Sequence, residues 1–175
     1  MRKGNLALVL ALVAVLSSWP HSAVSAPLVA QDDDSEVGSL PEEASDFDFW
    51  IGTWRVGSNA TDKVKRFGKG VAILETYTNG ANKGWSVNTF DVTTKMWTQT
   101  WHTNTGTYFQ VTGKKEGNKI VLVGKTKNPQ NGAVGLLRLS FVNITQNAFD
   151  QQYDLSTDGG KTWSPLSTVP FRRIK

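Results

Sequence analysis

Residues Trp85 to Lys125 read WSVNTFDVTTKMWTQTWHTNTGTYFQVTGKKEGNKIVLVGK. Four β-like runs lie in this stretch, Trp85 to Val92, Met96 to Thr103, Tyr108 to Gly113 and Lys119 to Lys125. Short turns separate them at Thr93-Thr94-Lys95, Asn104-Thr105-Gly106 and Lys114 to Asn118, built from the residue types that favour tight reversals. The same rhythm continues outward. Upstream are Trp50 to Val56, with Trp50, Gly52, Trp54 and Val56 on one face, and Phe67 to Thr78, with Phe67, Val71, Ile73 and Tyr77 on one face. Downstream are Val134 to Ile144, where Leu137, Leu139 and Phe141 alternate against Arg138 and Ser140, then Phe149 to Leu155, Thr162 to Trp163 and Ser167 to Ile174. No segment carries sustained helical periodicity. Strands at roughly 8–12-residue spacing with hairpin links predict an all-β chain: a single antiparallel up-and-down barrel of about ten strands. Closure removes the exposed sheet edges, and a barrel of this strand number encloses space, so the interior and its mouth are the expected site.

Composition removes several chemistries. The 175 residues include no cysteine, which excludes thiol nucleophiles, disulfide frameworks and Cys-ligated metals. Only His21 and His102 could supply imidazole. The N-terminus has the form of a secretory signal: basic Arg2 and Lys3, an apolar run from Leu6 to Leu16, and small residues at Val24-Ser25-Ala26. That run is short of the roughly 20 residues a membrane-spanning helix needs. Residues 1–26 are therefore expected to be a signal peptide, cleaved after Ala26 or Ala30, and the protein exported to the periplasm or extracellular space. Residues 27–46, with Asp32-Asp33-Asp34, Glu36, Glu42 and Glu43, are expected to be an acidic disordered leader, and residues 47–175 the barrel. The net charge of +4 hides an asymmetry: from Phe49 onward 17 basic residues face 7 acidic ones, a net of +10. The basic residues do not cluster, and export argues against nucleic acid, so no nucleic-acid partner and no integral membrane association are expected. The expected assembly is a monomer or dimer. Asn59 and Asn143 open glycosylation sequons that matter only in a eukaryotic source.

Gly52-Thr53-Trp54 in the first strand and Arg172-Arg173 in the last resemble the calycin superfamily of lipocalins and fatty-acid-binding proteins. The resemblance implies that the indole of Trp54 packs under one of Arg172 and Arg173 to close the barrel base, with Gly52 permitting close chain crossing. A closer resemblance runs through Phe47 to Trp54, then Phe90-Asp91 ahead of Trp97-Thr98-Gln99-Thr100-Trp101, then Ser156 to Trp163. In that order they look like a largely bacterial family of uncharacterised, often exported calycin-like barrels. It implies a fold and supplies no catalytic residues. Ser156-x-Asp158-x-Gly160-x-Thr162-Trp163 also fits the Asp-box pattern, in which Asp158 accepts turn amides, Gly160 supplies positive φ and Trp163 packs below; a single copy predicts a tight hairpin.

Polar residues on apolar faces mark a candidate pocket. Glu75 is in register with Ile73 and Tyr77, and Gln99 lies between Trp97 and Trp101. With Arg138 as a further head-group contact and Trp85, Tyr108 and Tyr153 as aromatic walls, the ligand-binding set is Glu75, Tyr77, Trp85, Gln99, Trp101, Tyr108, Arg138 and Tyr153. Heme-binding calycins carry an axial histidine near the closing strands, where this chain has none; His102 lies elsewhere, and no cofactor is expected. The first functional expectation is non-enzymatic binding of a small, mostly apolar molecule. The second is a cofactor-free isomerase or cyclase, which requires a buried carboxylate of raised pKa beside a cavity. The third is a basic-surface module for acidic envelope polymers.

Overall fold

A computed structural model describes residues 39–68, 70–127 and 132–174. The expected signal peptide and most of the acidic leader lie outside them. Ten strands follow in order: β1 (Gly52–Val56), β2 (Ala60–Phe67), β3 (Ala72–Asn79), β4 (Asn82–Asp91), β5 (Met96–Thr103), β6 (Tyr108–Glu116), β7 (Lys119–Lys127), β8 (Val134–Val142), β9 (Ala148–Ser156) and β10 (Ser164–Arg173). Each pairs antiparallel with its sequence neighbour, and β10 returns to β1, so the sheet is a closed up-and-down barrel as the turn spacing predicts. The closing seam is short, with Trp54 opposite Arg173, Arg55 opposite Arg172 and Val56 opposite Phe171.

Alternation fixes which side chains enter the barrel. On β4 the buried residues are Gly84, Ser86, Asn88 and Phe90; on β5, Trp97 and Gln99; on β8, Leu137, Leu139 and Phe141. The apolar mass gathers at one end. Phe47, Trp50, Trp54, Trp97, Phe141 and Phe149 are almost wholly buried there and meet mainly edge to face, as between Phe47 and Phe141 at 5.0 Å and between Trp54 and Phe149 at 4.9 Å.

Three details depart from the sequence reading. β2 is a full strand, although Thr61, Lys63, Lys65 and Arg66 make it read as a loop. Phe67 ends that strand with 62% exposure; the turn through Gly68 and Gly70 separates it from Ile73 and Tyr77, and it does not share their buried face. Trp50 precedes β1 in a short 3-10 turn (Asp48–Trp50), yet its indole still enters the core.

The end of the acidic stretch is ordered rather than a free leader. Glu42–Ser45 forms a 3-10 turn whose Ala44 is buried against the aromatic floor. The Trp97 indole N–H donates to the Glu43 carbonyl at 3.0 Å, and Lys95 and Lys115 pair with Glu43 and Asp46. These contacts anchor a hook across one end of the barrel.

Arg173 locks that end. Its guanidinium lies 4.2 Å over the Trp54 ring and donates to the carbonyls of Phe49 (2.7 Å), Ile51 (2.9 Å) and, through Nε, Gln146 (2.7 Å). Of the two terminal arginines it is therefore Arg173 that closes the barrel; Arg172 faces outward and pairs with Asp150. Gly52 has φ +142°, and a Cβ there would stand 2.3 Å from Arg173 Nη1. Gly52→Ala should destabilise the fold by about 2 kcal/mol or more, through positive-φ strain and displacement of the guanidinium. Urea denaturation of the two proteins measures this.

Candidate functional site

Above the aromatic floor the barrel interior turns polar. The middle layer contains Asp62 from β2, Glu75 from β3, Ser86 and Asn88 from β4, Gln99 from β5 and Gln151 from β9, all buried. One network joins four of them. Ser86 Oγ donates to Glu75 Oε2 at 2.5 Å; Asn88 Nδ2 donates to Ser86 Oγ at 2.8 Å; Gln99 Nε2 reaches Ser86 Oγ at 3.3 Å and Glu75 Oε2 at 3.4 Å. Tyr153 Oη donates to Gln151 Oε1 at 2.8 Å.

Beyond this layer lies a cavity of about 270 Å³ lined by Val56, Glu75, Tyr77, Gln99, Trp101, Phe109, Gln151, Tyr153, Val169 and Phe171. The topology places it toward the barrel end that carries the turns at Gly57, Gly80 and Gly106. Its walls are aromatic: Trp101 stacks on Phe109 at 6.3 Å and meets Tyr77 edge to face at 6.0 Å. Gly84 makes room for this arrangement, since a Cβ there would fall 2.3 Å from the Trp101 ring. A larger depression of about 630 Å³ lies on the outside, between the hook and the Gly68–Gly70 turn. It is open to solvent and has none of the buried polar layer, so the barrel cavity is the better candidate.

Several polar atoms in and behind the cavity wall have no hydrogen-bond partner among the described residues: both oxygens of Asp62, Gln99 Oε1, Asn88 Oδ1 and Trp50 Nε1. Buried unpaired acceptors are costly and call for water or a ligand donor. The carboxyls respond to the same poverty of solvation. Burial above all pushes Asp62 up to about 7, against the opposing pull of the nearby Trp50 indole N–H. Burial, and then the charge of Asp62, pushes Glu75 well above the usual carboxyl range. Burial and then the two carboxylates raise Tyr153 as well. In neutral solution the pair is thus held short of full ionisation.

The structure brings together five of the eight expected ligand-binding residues: Glu75, Tyr77, Gln99, Trp101 and Tyr153. The other three leave the interior. Trp85 and Tyr108 are on the outer face with 45% and 57% exposure, beside the exposed His102, whose ring lies 5.0 Å from Tyr108. Arg138 also points outward, pairing with Asp154 at 3.0 Å and covering Trp163 at 4.3 Å. Trp163 belongs to the hairpin expected from its motif, where Asp158 Oδ1 accepts from Ser156 Oγ at 2.8 Å and from the Thr162 amide at 3.0 Å, and Gly160 has φ +91°. The Thr162 hydroxyl, which donates to Asp158 Oδ2 at 2.6 Å, is the largest cause, followed by the Thr162 amide and Ser156, of an Asp158 carboxyl held down at about 2. Asp62 is the member that sequence reasoning missed. Its inward parity with Ala60 and Val64 was the available signal, hidden because β2 itself did not read as a strand.

Comparison with protein-family models and with curated protein sequences finds no match. The barrel topology is consistent with a calycin-like fold; kinship with the exported family suggested by the motifs stays a proposal.

The buried pair sets a pH dependence. Both folded-state values lie above those of the free chain, so their contribution is fully present below the unfolded values near 4 and is lost as pH rises through about 7 for Asp62 and higher for Glu75. Stability should fall between pH 5 and 8 at about 1.4 kcal/mol per pH unit for each proton retained only in the fold. Asp62→Asn should flatten that slope and raise the melting temperature at pH 8, as read by thermal melts across the range.

Proposed function

We propose that the protein is an exported barrel that binds a small, mostly apolar molecule in its interior without chemically transforming it. The observation that carries this reading is the aromatic-walled cavity whose lining includes the buried Glu75 carboxyl and the unpartnered Oε1 of Gln99. Small-molecule sites typically combine an apolar lining with a few fixed polar groups, and their volumes start at roughly 300 Å³. A cavity of about 270 Å³ suits a ligand about the size of a single substituted aromatic ring. The basic-surface alternative has less support. Lys63 and Lys65 are on β2, Lys114 and Lys115 on β6, and Lys125 and Lys127 on β7, so the lysines are distributed around the barrel. Lys115 is already paired with Asp46.

The neutral probe 2-phenylethanol tests the binding reading. It should quench tryptophan fluorescence saturably in the full chain, and Val169→Trp, which fills the cavity, should weaken its binding by about tenfold or more. Absence of saturable binding by 2-phenylethanol and by its amine and carboxylate analogues alike sinks the proposal.

One observation favours a second reading. Glu75 is a carboxyl pushed well up at the wall of a cavity, beside a second ionisable carboxyl. Such a carboxyl suits proton-transfer isomerisation: ionised Glu75 takes a proton from the carbon beside a carbonyl and then returns one to the substrate, with Asp62 behind it keeping its pKa raised. On this reading the protein in D2O accelerates deuterium entry at the α-carbons of cyclohexanone, and Glu75→Gln abolishes the acceleration. Exchange no faster than buffer excludes it.

A further inference from the structure

The cavity base is chemically one-sided. Glu75 and Gln99 line it, and Asp62 lies behind them, fully buried on the neighbouring strand. Asp62 is one step diagonal to Glu75 across the β2–β3 ladder, where Asp62 pairs with Tyr77 and Val64 with Glu75. Among the described residues no Lys or Arg lines the cavity. Arg138 and Arg172 are spent on outer carboxylates, and Arg173 is committed to Trp54 on the far side of the floor. The other titratable groups facing the pair are Tyr77 on β3 and Tyr153 on β9, and neither offers positive charge. Of the unpaired buried atoms, Gln99 Oε1, Asn88 Oδ1 and the two Asp62 oxygens are acceptors, and the single donor, Trp50 Nε1, is directed to Asp62 and does not line the cavity.

We infer that the ligand carries a primary ammonium group, seated against Glu75 and Gln99 with the Asp62 charge behind it, and an apolar body held between Trp101, Phe109 and Tyr153. The inference rests on the binding reading above and specifies its head group. An ammonium supplies three donors to a site furnished with acceptors, and its charge offsets that of the desolvated pair. The surrounding rings add a cation–π contribution that a neutral or anionic head group lacks. An anionic head group, a carboxylate above all, would stand against two carboxyls with no compensating cation.

Linkage gives the inference a second readout. A bound cation favours the ionised form of the pair, so binding at acid pH expels a proton. Affinity for the amine should then climb by up to about tenfold per pH unit for each proton displaced as pH rises through about 7, and fall once the amine itself deprotonates near 10.

Calorimetric titration of the full chain with 2-phenylethylamine, 2-phenylethanol and 3-phenylpropanoate decides the matter. The expected result is at least about tenfold tighter binding of the amine than of either analogue at pH 8, a preference that shrinks at pH 5.5. It should collapse in Asp62→Asn, with folding confirmed by circular dichroism. Equal or tighter binding of the alcohol or the carboxylate in the wild-type protein overturns the ammonium inference and leaves the binding reading standing. Absence of binding by all three overturns both.

Discussion

Closure of the sheet rests on one contact, the stacking of Arg173 over Trp54 at the β1–β10 seam. That seam is short, and the guanidinium reinforces it by tying β10 to carbonyls on both sides of the join, from Phe49 and Ile51 before β1 and from Gln146 before β9. The Trp54 indole in turn donates to the Trp50 carbonyl at 2.7 Å, which fixes the short turn that drops Trp50 and Phe47 into the barrel. A chain without cysteine must obtain its stability from burial, and this end is where burial is densest. The hook through Ala44 completes the floor. With the floor sealed by rings, free volume is left only toward the other end.

That division of labour bears on the middle layer. Closure needs none of Asp62, Glu75, Ser86, Asn88 or Gln99, because the seam and the floor are made by other residues. Apolar side chains of similar volume would fill the same space without desolvating two carboxyls, and such replacements of buried ionic groups are often neutral or stabilising. The polar layer therefore opposes stability and borders an enclosed space built from the barrel's own inward faces.

Much of the architecture was legible in the sequence because alternation and turn chemistry are local signals. The strand count, the hairpin at Asp158 and the inward parity of Glu75 and Gln99 follow from period-two reading and turn chemistry, whereas the Gly52–Trp54–arginine closure is legible only through the resemblance to calycins. The failures share one physical cause. Alternation identifies a buried face only when that face is apolar, and here the interior is mixed. Asp62 sits inward between Ala60 and Val64 on β2, and a charged residue on the inward face breaks the apolar alternation by which a strand is recognised. On β4 the inward residues near the centre are Ser86 and Asn88, while Trp85 and Val87 point to solvent. Hydrophobicity there points the wrong way, and Trp85 read as a wall. Tyr108 is another outward ring, opposite His102 and next to inward Phe109, while Phe67 is a large ring at a strand end where the sheet no longer encloses it. Arg138 alternates correctly against Leu137 and Leu139, but its outward partners Asp154 and Trp163 come from later strands and could not be paired in advance.

Asp62, which the sequence reading missed, belongs to the buried polar layer behind the proposed site. A barrel interior that obeyed the binary pattern would be a solid core, readable and inert. Departures from it, an aspartate behind a glutamate and an amide with an unpaired oxygen, are what give the cavity a chemical preference. The preference is set by subtraction as much as by placement: Arg138, Arg172 and Arg173 are engaged elsewhere and no Lys or Arg among the described residues lines the cavity, so the negative potential of the pair is not neutralised from within. Partial protonation is the apo protein's own answer to that imbalance, and it makes the pair responsive near neutral pH. Whether the pair grips a cation or moves a proton depends on what enters, and both uses draw on the same withheld solvation.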